Sequence, residues 1–156
     1  MPEIIVEVPG VPVAKARPRF YRRGKFVGVF NSQDTEEGKF LLLSRSQIPR
    51  IAPQGVPVSL SALFFFPIPK SLPKKARAEI MAGADCHVKK PDGDNCIKFV
   101  KDCLNGVAWH DDAQVCVVKY SKTYSEQPRT VLFIKWADLS APELHKTILK
   151  LAEDIE

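Results

Sequence analysis

Along this chain apolar residues alternate with polar ones in some stretches and recur every three or four residues in others. The contrast between the two periods predicts its elements. Ile4, Val6 and Val8 share one face of residues 3–9 (EIIVEVP), a short strand closed by Pro9-Gly10. Residues 56–66 (VPVSLSALFFF) set Val56, Val58, Leu60, Ala62, Phe64 and Phe66 against Ser59 and Ser61. That is a half-buried strand that becomes buried on both faces toward its end, where Pro67 and Pro69 stop it. Residues 115–124 (VCVVKYSKTY) and 129–136 (RTVLFIKW) predict two further strands, and the short SEQP link between them suggests an antiparallel hairpin.

Helical spacing appears in the intervening segments. Residues 34–47 carry Phe40, Leu41, Leu42 and Leu43 as a broad apolar face, with Asp34 and Glu37 at capping-box spacing and Ser32 as another cap. Pro49 ends that helix, and Gly38 weakens its first turn. Residues 72–81 (LPKKARAEIM) read as a short basic helix opened by Pro73. From Asn95 to Asn105, Ile97, Val100 and Leu104 line one face while Asp94, Lys98 and Asp102 line the other at intervals of four. Asp94 suits the N-cap there, and Asn105-Gly106 suits a left-handed stop. Ser140, Glu143, Leu139 and Leu144 open a last helix over 139–156, whose stripe is Leu144, Ile148 and Leu151. The expected fold is therefore mixed α/β (α+β): one small domain over 1–137, with a mixed sheet packed by helices, and a helical extension over 138–156.

A length of 156 residues suits one domain with a sizeable core, and 45% hydrophobic with 26% charged residues is a globular composition. No apolar run approaches the roughly 20 residues of a membrane span. Met1-Pro2-Glu3 has no basic region and Glu7 interrupts the apolar run that follows, so an intracellular location is expected. The four cysteines, at 86, 96, 103 and 116, lack the paired spacing of a zinc site and read as buried, reduced thiols.

Charge changes the picture more. The net charge is +5, which favours a polyanionic partner. Residues 11–30 hold six basic side chains (Lys15, Arg17, Arg19, Arg22, Arg23, Lys25) and no acidic one, with Phe20, Tyr21 and Phe26 among them. Pro12 and Pro18 keep the segment out of a helix. It reads either as a solvated basic hairpin or as a ribbon that neutralises phosphates without reading sequence.

The densest chemistry lies in residues 89–115, KKPDGDNCIKFVKDCLNGVAWHDDAQV. Pro91 and Gly93 make the helix entry a turn on which Asp92 and Asp94 can converge. Asp111 and Asp112 follow the same helix. The carboxylates at 92, 94 and 112 are hard oxygen donors suited to Mg2+ or Mn2+. An EF-hand does not fit: counted from Asp92, Ile97 falls on the obligatory glycine and Cys103 on the bidentate glutamate. An acid–base pair of carboxylates, as in glycosidases, gives no reason for a basic protein. The bland alternative has Asp94 only capping a helix and Asp111-Asp112 only decorating a turn; Lys98 and the basic arm weigh against it.

The run Lys90-Pro-Asp-Gly-Asp-Asn95, with Lys98, Asp102, Leu104, Trp109 and Asp111-Asp112-Ala-Gln-Val115, resembles the signature of the RusA family of Holliday junction resolvases. The likeness covers about residues 89–122, and KARPR at 15–19 is similar to the N-terminal part of many members. It implies a homodimeric, Mg2+-dependent endonuclease (Mn2+ being the other candidate) that resolves branched four-way DNA by paired nicks, leaving 5′-phosphate and 3′-hydroxyl ends. It implies metal ligands at Asp92, Asp94 and Asp112 and an essential lysine at Lys98, with Asp111 and Asn95 as supports. Lys98 would stand near the scissile phosphate or orient the attacking water. Lys15, Arg17, Arg19, Arg22, Arg23, Lys89 and Lys90 are then the expected DNA contacts. Gly93 and Cys96 stand where bulkier apolar residues are familiar in the family. A phage or prophage origin fits such an enzyme. The competing reading is a non-catalytic protein that binds branched or duplex DNA with the same basic surface.

Overall fold

The computed structural model describes residues 3–83 and 86–136, together with Lys146, Leu149 and Lys150. The strands are β1 (Glu3–Pro9), β2 (Arg19–Arg23), β3 (Phe26–Phe30), β4 (Val58–Pro67), β5 (Val115–Ser125) and β6 (Arg129–Trp136). The helices are α1 (Asp34–Arg45), α2 (Lys74–Met81) and α3 (Gly93–Leu104), and a 3-10 turn spans Asp112–Gln114. Four strands form one mixed sheet in the order β1-β6-β4-β5, while β2 and β3 pair only with each other. The result is a mixed α+β domain. Of the helix expected over 139–156, Lys146, Leu149 and Lys150 are helical, and the rest lies outside the described residues.

The expected hairpin of 115–124 with 129–136 does not form. β4 sits between the two strands, parallel to β5 and antiparallel to β6. β4 is the most continuously apolar strand, and a central position buries both of its faces. Its parallel partner β5 is reached through the long crossover that carries α2 and α3, as parallel pairing requires. The short 126–128 link then steps past the end of β4.

One face of the sheet is the core face. Ile4, Val6 and Val8 of β1 stand in register with Ile134, Leu132 and Thr130 of β6, beside Leu60, Ala62 and Phe64 of β4. Against this face lies α3, which buries Cys96, Ile97, Phe99, Val100 and Leu104. Phe99 meets Phe40 of α1 edge-on, with ring centroids 5.5 Å apart. Trp109, just beyond α3, is fully buried in the same cluster. Leu42 of α1 faces solvent, so the apolar face of that helix is narrower than its four consecutive large residues suggest.

Helix starts differ from the sequence expectation. In α1 the cap position is Gln33, with no side-chain cap bond, because Glu37 is turned toward Lys15 and Asn31 instead of closing a capping box with Asp34. The third helix begins at Gly93, so its cap residue is Asp92 and Asp94 lies within the first turn. The earlier start depends on glycine: a Cβ at position 93 would collide with the ring of Tyr120 on β5. This close approach accounts for a glycine at position 93. Asn105 is extended and Gly106 takes the left-handed conformation (φ 78°) that ends the helix. The thiols also depart in part, since Cys86 and Cys116 are exposed while Cys96 is buried and Cys103 half-buried, all four free.

Gly93→Ala should therefore lower stability by about 1–3 kcal/mol through overpacking. Combined with Tyr120→Ala the same change should be neutral or stabilising, since alanine is the better helix former. Urea denaturation of the two pairs measures this reversal of sign; a uniform effect in both backgrounds would show that Tyr120 is not the obstacle.

Candidate metal and DNA site

Two ends of α3 carry the acidic residues, and they are built differently. At the N-terminal end the chain passes through Lys89 and Lys90, both exposed, across a cis Lys90–Pro91 bond to Asp92. Lys122 of β5 fixes this approach, its ammonium donating to the carbonyls of Lys89 (2.7 Å) and Pro91 (2.6 Å). The same strand seats Gly93 under Tyr120. Two alternate residues of β5 thus hold the segment from both sides of Asp92. Asp92 and Asp94 are exposed, and neither carboxylate makes a hydrogen bond or ion pair among the described residues. Both stand at the positive end of the helix dipole. Lys98, exposed and likewise unpaired among the described residues, follows Asp94 by one turn. Asn95 is half-buried, and its backbone carbonyl accepts from the amide of Lys15 at 2.9 Å.

At the other end, Asp111 caps the 3-10 turn by accepting from the Ala113 amide at 2.8 Å, while Gln114 completes a reciprocal capping box. Gln114 does more. Its side-chain oxygen accepts from the amides of His110 (2.9 Å) and Asp111 (3.2 Å), and its nitrogen donates to the carbonyls of Pro53 (2.9 Å) and Val56 (3.0 Å). The Asp111-Asp112 turn is thereby stapled to the loop ahead of β4. Asp112 itself is half-buried and without a side-chain partner among the described residues.

The twelve residues of α3 make it about 18 Å long. Its first turn lies beside Tyr120 and Lys122, and the Asp111-Asp112 turn lies beyond its last. One chain therefore brings Asp92, Asp94, Asn95 and Lys98 together and keeps Asp111 and Asp112 a helix length away. Among the described residues no three His, Cys, Asp or Glu side chains are grouped to hold a metal ion. The donor chemistry fits a hard divalent cation, while the placement supplies it in two halves.

Among the basic residues, Lys15 stands apart. Its ammonium pairs with Glu37 at 2.8 Å and Asp102 at 3.0 Å, tying the basic arm to α1 and α3. The hydrogen bond to Glu37, then that to Asp102 against the cost of burial, raises its pKa above 10.5. Gln33 anchors the same segment, donating to the Ala14 carbonyl and accepting from the Ala16 amide, both at 2.7 Å. Beyond this anchor Arg17, Arg19, Arg22 and Arg23 are all exposed, and none forms an ion pair among the described residues. Burial pushes the Cys96 thiol up to about 11 and the Cys103 thiol up to about 12, so both stay protonated beside the helix at neutral pH.

Sequence reading missed Gln114, Lys122 and Gln33 as positioning residues. For Gln114 the signal was available, because Asp111 and Gln114 have capping-box spacing. For Lys122 and Gln33 the partners are backbone groups far along the chain, which no local pattern announces.

Comparison with known proteins adds a decisive match, to the endodeoxyribonuclease RusA family over residues 9–135. The chain belongs to the RusA endodeoxyribonuclease family. It is also similar to the uncharacterized protein YqaN of Bacillus subtilis (strain 168), with 36% identity over 133 residues, covering 81% of this chain and 91% of that protein. The RusA match spans β1's last residue through β6 almost to its end, so it takes in the basic hairpin, both acidic ends of α3 and the strands that seat them.

Two expectations follow. Lys122→Met should cost about 2 kcal/mol, as a charged donor to two carbonyls is lost, and amide exchange at residues 93–98 should quicken; unchanged exchange there would contradict the clamp. Lys15, with its folded pKa raised, stabilises fully below pH 10.5 and loses that contribution as pH rises through the raised value. Thermal melts from pH 8 upward should show the gap between wild type and Lys15→Met narrowing only at that alkaline end.

Proposed function

We propose that this chain is a divalent-metal-dependent, structure-selective endodeoxyribonuclease that resolves four-way DNA junctions by paired nicks and works inside the cell as a homodimer. The observation that carries the reading is the cluster at the start of α3, where Asp92, Asp94 and Lys98 have no side-chain partner among the described residues and β5 holds the helix entry through Lys122 and Tyr120. It stands in a chain of the RusA family whose exposed arginines project on a separate ribbon.

Asp92 and Asp94 would hold Mg2+, or Mn2+, with Asp112 as the third ligand. The bound ion would supply a water activated at neutral pH and neutralise charge on the phosphate. Lys98 stabilises negative charge on the scissile phosphate from one helical turn away. Asp111 and Gln114 hold the backbone that presents Asp112, and Asn95 fixes the basic arm to the first turn of the helix. Exposed Lys89 and Lys90 flank the cluster and suit phosphates on either side of the cut.

The helix length separating Asp112 from Asp94 argues for a composite site, in which Asp112 comes from the partner protomer. A C2 dimer makes such a pairing twice over and matches the approximate two-fold symmetry of a four-way junction. The competing reading, DNA binding without catalysis, draws on the same separation, since a single chain has no convergent ligand set among the described residues.

Asp94→Asn should abolish cleavage of a synthetic junction in Mg2+ while binding stays equal or tightens, because a negative charge near phosphate is lost. Asp112→Asn should do likewise. After co-refolding, mixed dimers of the two inactive variants should regain a single nick per junction, because one of their two composite sites carries no substitution. Gel analysis of nicked against resolved products reads this directly. A mixture as inactive as its components would place all the ligands in one chain, and wild-type binding with no nicking in any divalent metal would favour the non-catalytic reading.

A further inference from the structure

The hairpin of β2 and β3 takes no part in the core: none of its residues belongs to the buried hydrophobic cluster. Yet Phe20, Tyr21 and Phe26 are 73%, 50% and 62% exposed. Large apolar rings left in water on a projecting ribbon mark a binding surface. The register sorts them by face. Arg19, Tyr21 and Arg23 lie across from Phe30, Gly28 and Phe26, so cations and rings alternate on one side of the ribbon.

Tyr21 is placed with unusual economy. Its ring lies across Gly28, where any Cβ would collide with it, and it meets Phe26 at 6.4 Å with the planes 54° apart. Glycine at 28 lets the ring lie along the ribbon and leaves its other surface open. Arg19 and Arg23 on the same face form no ion pair among the described residues, and residues 11–30 contain no acidic side chain to attract them. The charge complement of this surface is a polyanion. The chemistry that uses flat rings beside free arginines is nucleic acid with unpaired bases, since stacking on aromatics and phosphate pairing combine there.

We propose that the Tyr21–Phe26 face is a stacking platform for unpaired DNA bases, with Arg19 and Arg23 on the flanking phosphates. Unpaired bases become available at a branch point once its arms are opened, so the hairpin selects branched over linear duplex DNA. The ligand class rests on the DNA-binding part of the function proposed above, but nothing in it depends on cleavage.

The test is done in EDTA, where cleavage chemistry is silent. Fluorescence anisotropy compares a labelled twelve-nucleotide oligo-dT with an abasic strand of the same length. Wild type should bind the strand with bases roughly five- to tenfold more tightly. Tyr21→Ala/Phe26→Ala should lose that preference while keeping its affinity for the abasic strand, and Gly28→Val, which lifts the Tyr21 ring, should do the same with both rings present. Arg19→Ala/Arg23→Ala should weaken both strands alike and lower the salt slope by about 1.4. Equal wild-type binding to the two strands would overturn the platform, as would a parallel loss on both in the ring variants. Light scattering closes the remaining route: if the ring variants become monomeric where wild type is dimeric, the face joins two copies of this chain and the proposal fails. In a separate junction assay in Mg2+, absence of cleavage with base-dependent binding retained would count against the nuclease reading alone.

Discussion

Everything chemical in this protein hangs on how α3 lies against the sheet. Its apolar face, from Cys96 to Leu104, is sunk into a core shared with Phe40, Trp109 and the inner residues of β4 and β6. Burial of that face is the largest favourable term available to the helix, and it leaves no rotation by which the acidic face could turn inward. Asp94, Lys98 and Asp102 are exposed because Ile97, Val100 and Leu104 are not. The close seat of Gly93 on Tyr120 then fixes the helix along its axis as well as around it. A helix so constrained presents its first turn at one place, and the two carboxylates there have no partner among the described residues because β5, through Lys122, holds the turn.

The cost of this arrangement is that a rigid helix also keeps its ends apart. Asp112 is as firmly built as Asp94, through the Gln114 staple, but at the far end. Neither end can travel to the other without unpacking the core. In the composite site proposed above, a second copy of the chain would supply the other set of carboxylates, and two-fold symmetry would give two such sites for the same interface. Rigidity within the protomer and the separation of its two acidic ends are two consequences of one packing arrangement.

Much of this was legible in the residues. The periodicities of β1, β4, β6 and α3 each reported a buried face, and the carboxylates and lysine of the central stretch were visible as a pattern at spacing four. What failed was what periodicity does not encode. A short link between two strands suggested a hairpin, yet the pairing was decided by β4, whose nearly continuous apolar run competes best for the centre of the sheet. Capping failed in a similar way. Asp34 and Glu37 had the right spacing, but Lys15, far back in the chain, offers Glu37 an opposite charge, and a charge-assisted bond outweighs a capping one. Asp94 likewise gave way as cap once Gly93 allowed an earlier start. The separation of Asp112 from Asp94 was hidden because sequence closeness across a turn says nothing about which end of a helix that turn occupies.

Lys15 shows how the basic arm is divided. Read as one of six equivalent cations, it is in the structure the one that turns inward, bridging Glu37 of α1 and Asp102 of α3 while Gln33 holds the backbone on either side of it. Residues up to about 16 thereby belong to the folded domain. Arg17, Arg19, Arg22 and Arg23 are exposed and form no ion pair among the described residues, and the hairpin is tied to the domain by this anchor on its β2 side and by the Asn31–Glu37 bond on its β3 side. An isolated two-stranded ribbon is marginal in water, so its attachment to the folded domain through Lys15 and Gln33 matters to its order. The anchor contacts the very helix that carries Asp94 and Lys98, with the Lys15 amide bonded to the carbonyl of Asn95 in the first turn. The ribbon is thus joined by a short, charge-paired connection to the same helix that presents Asp92, Asp94 and Lys98, so the basic arm and the acidic cluster share one packed support.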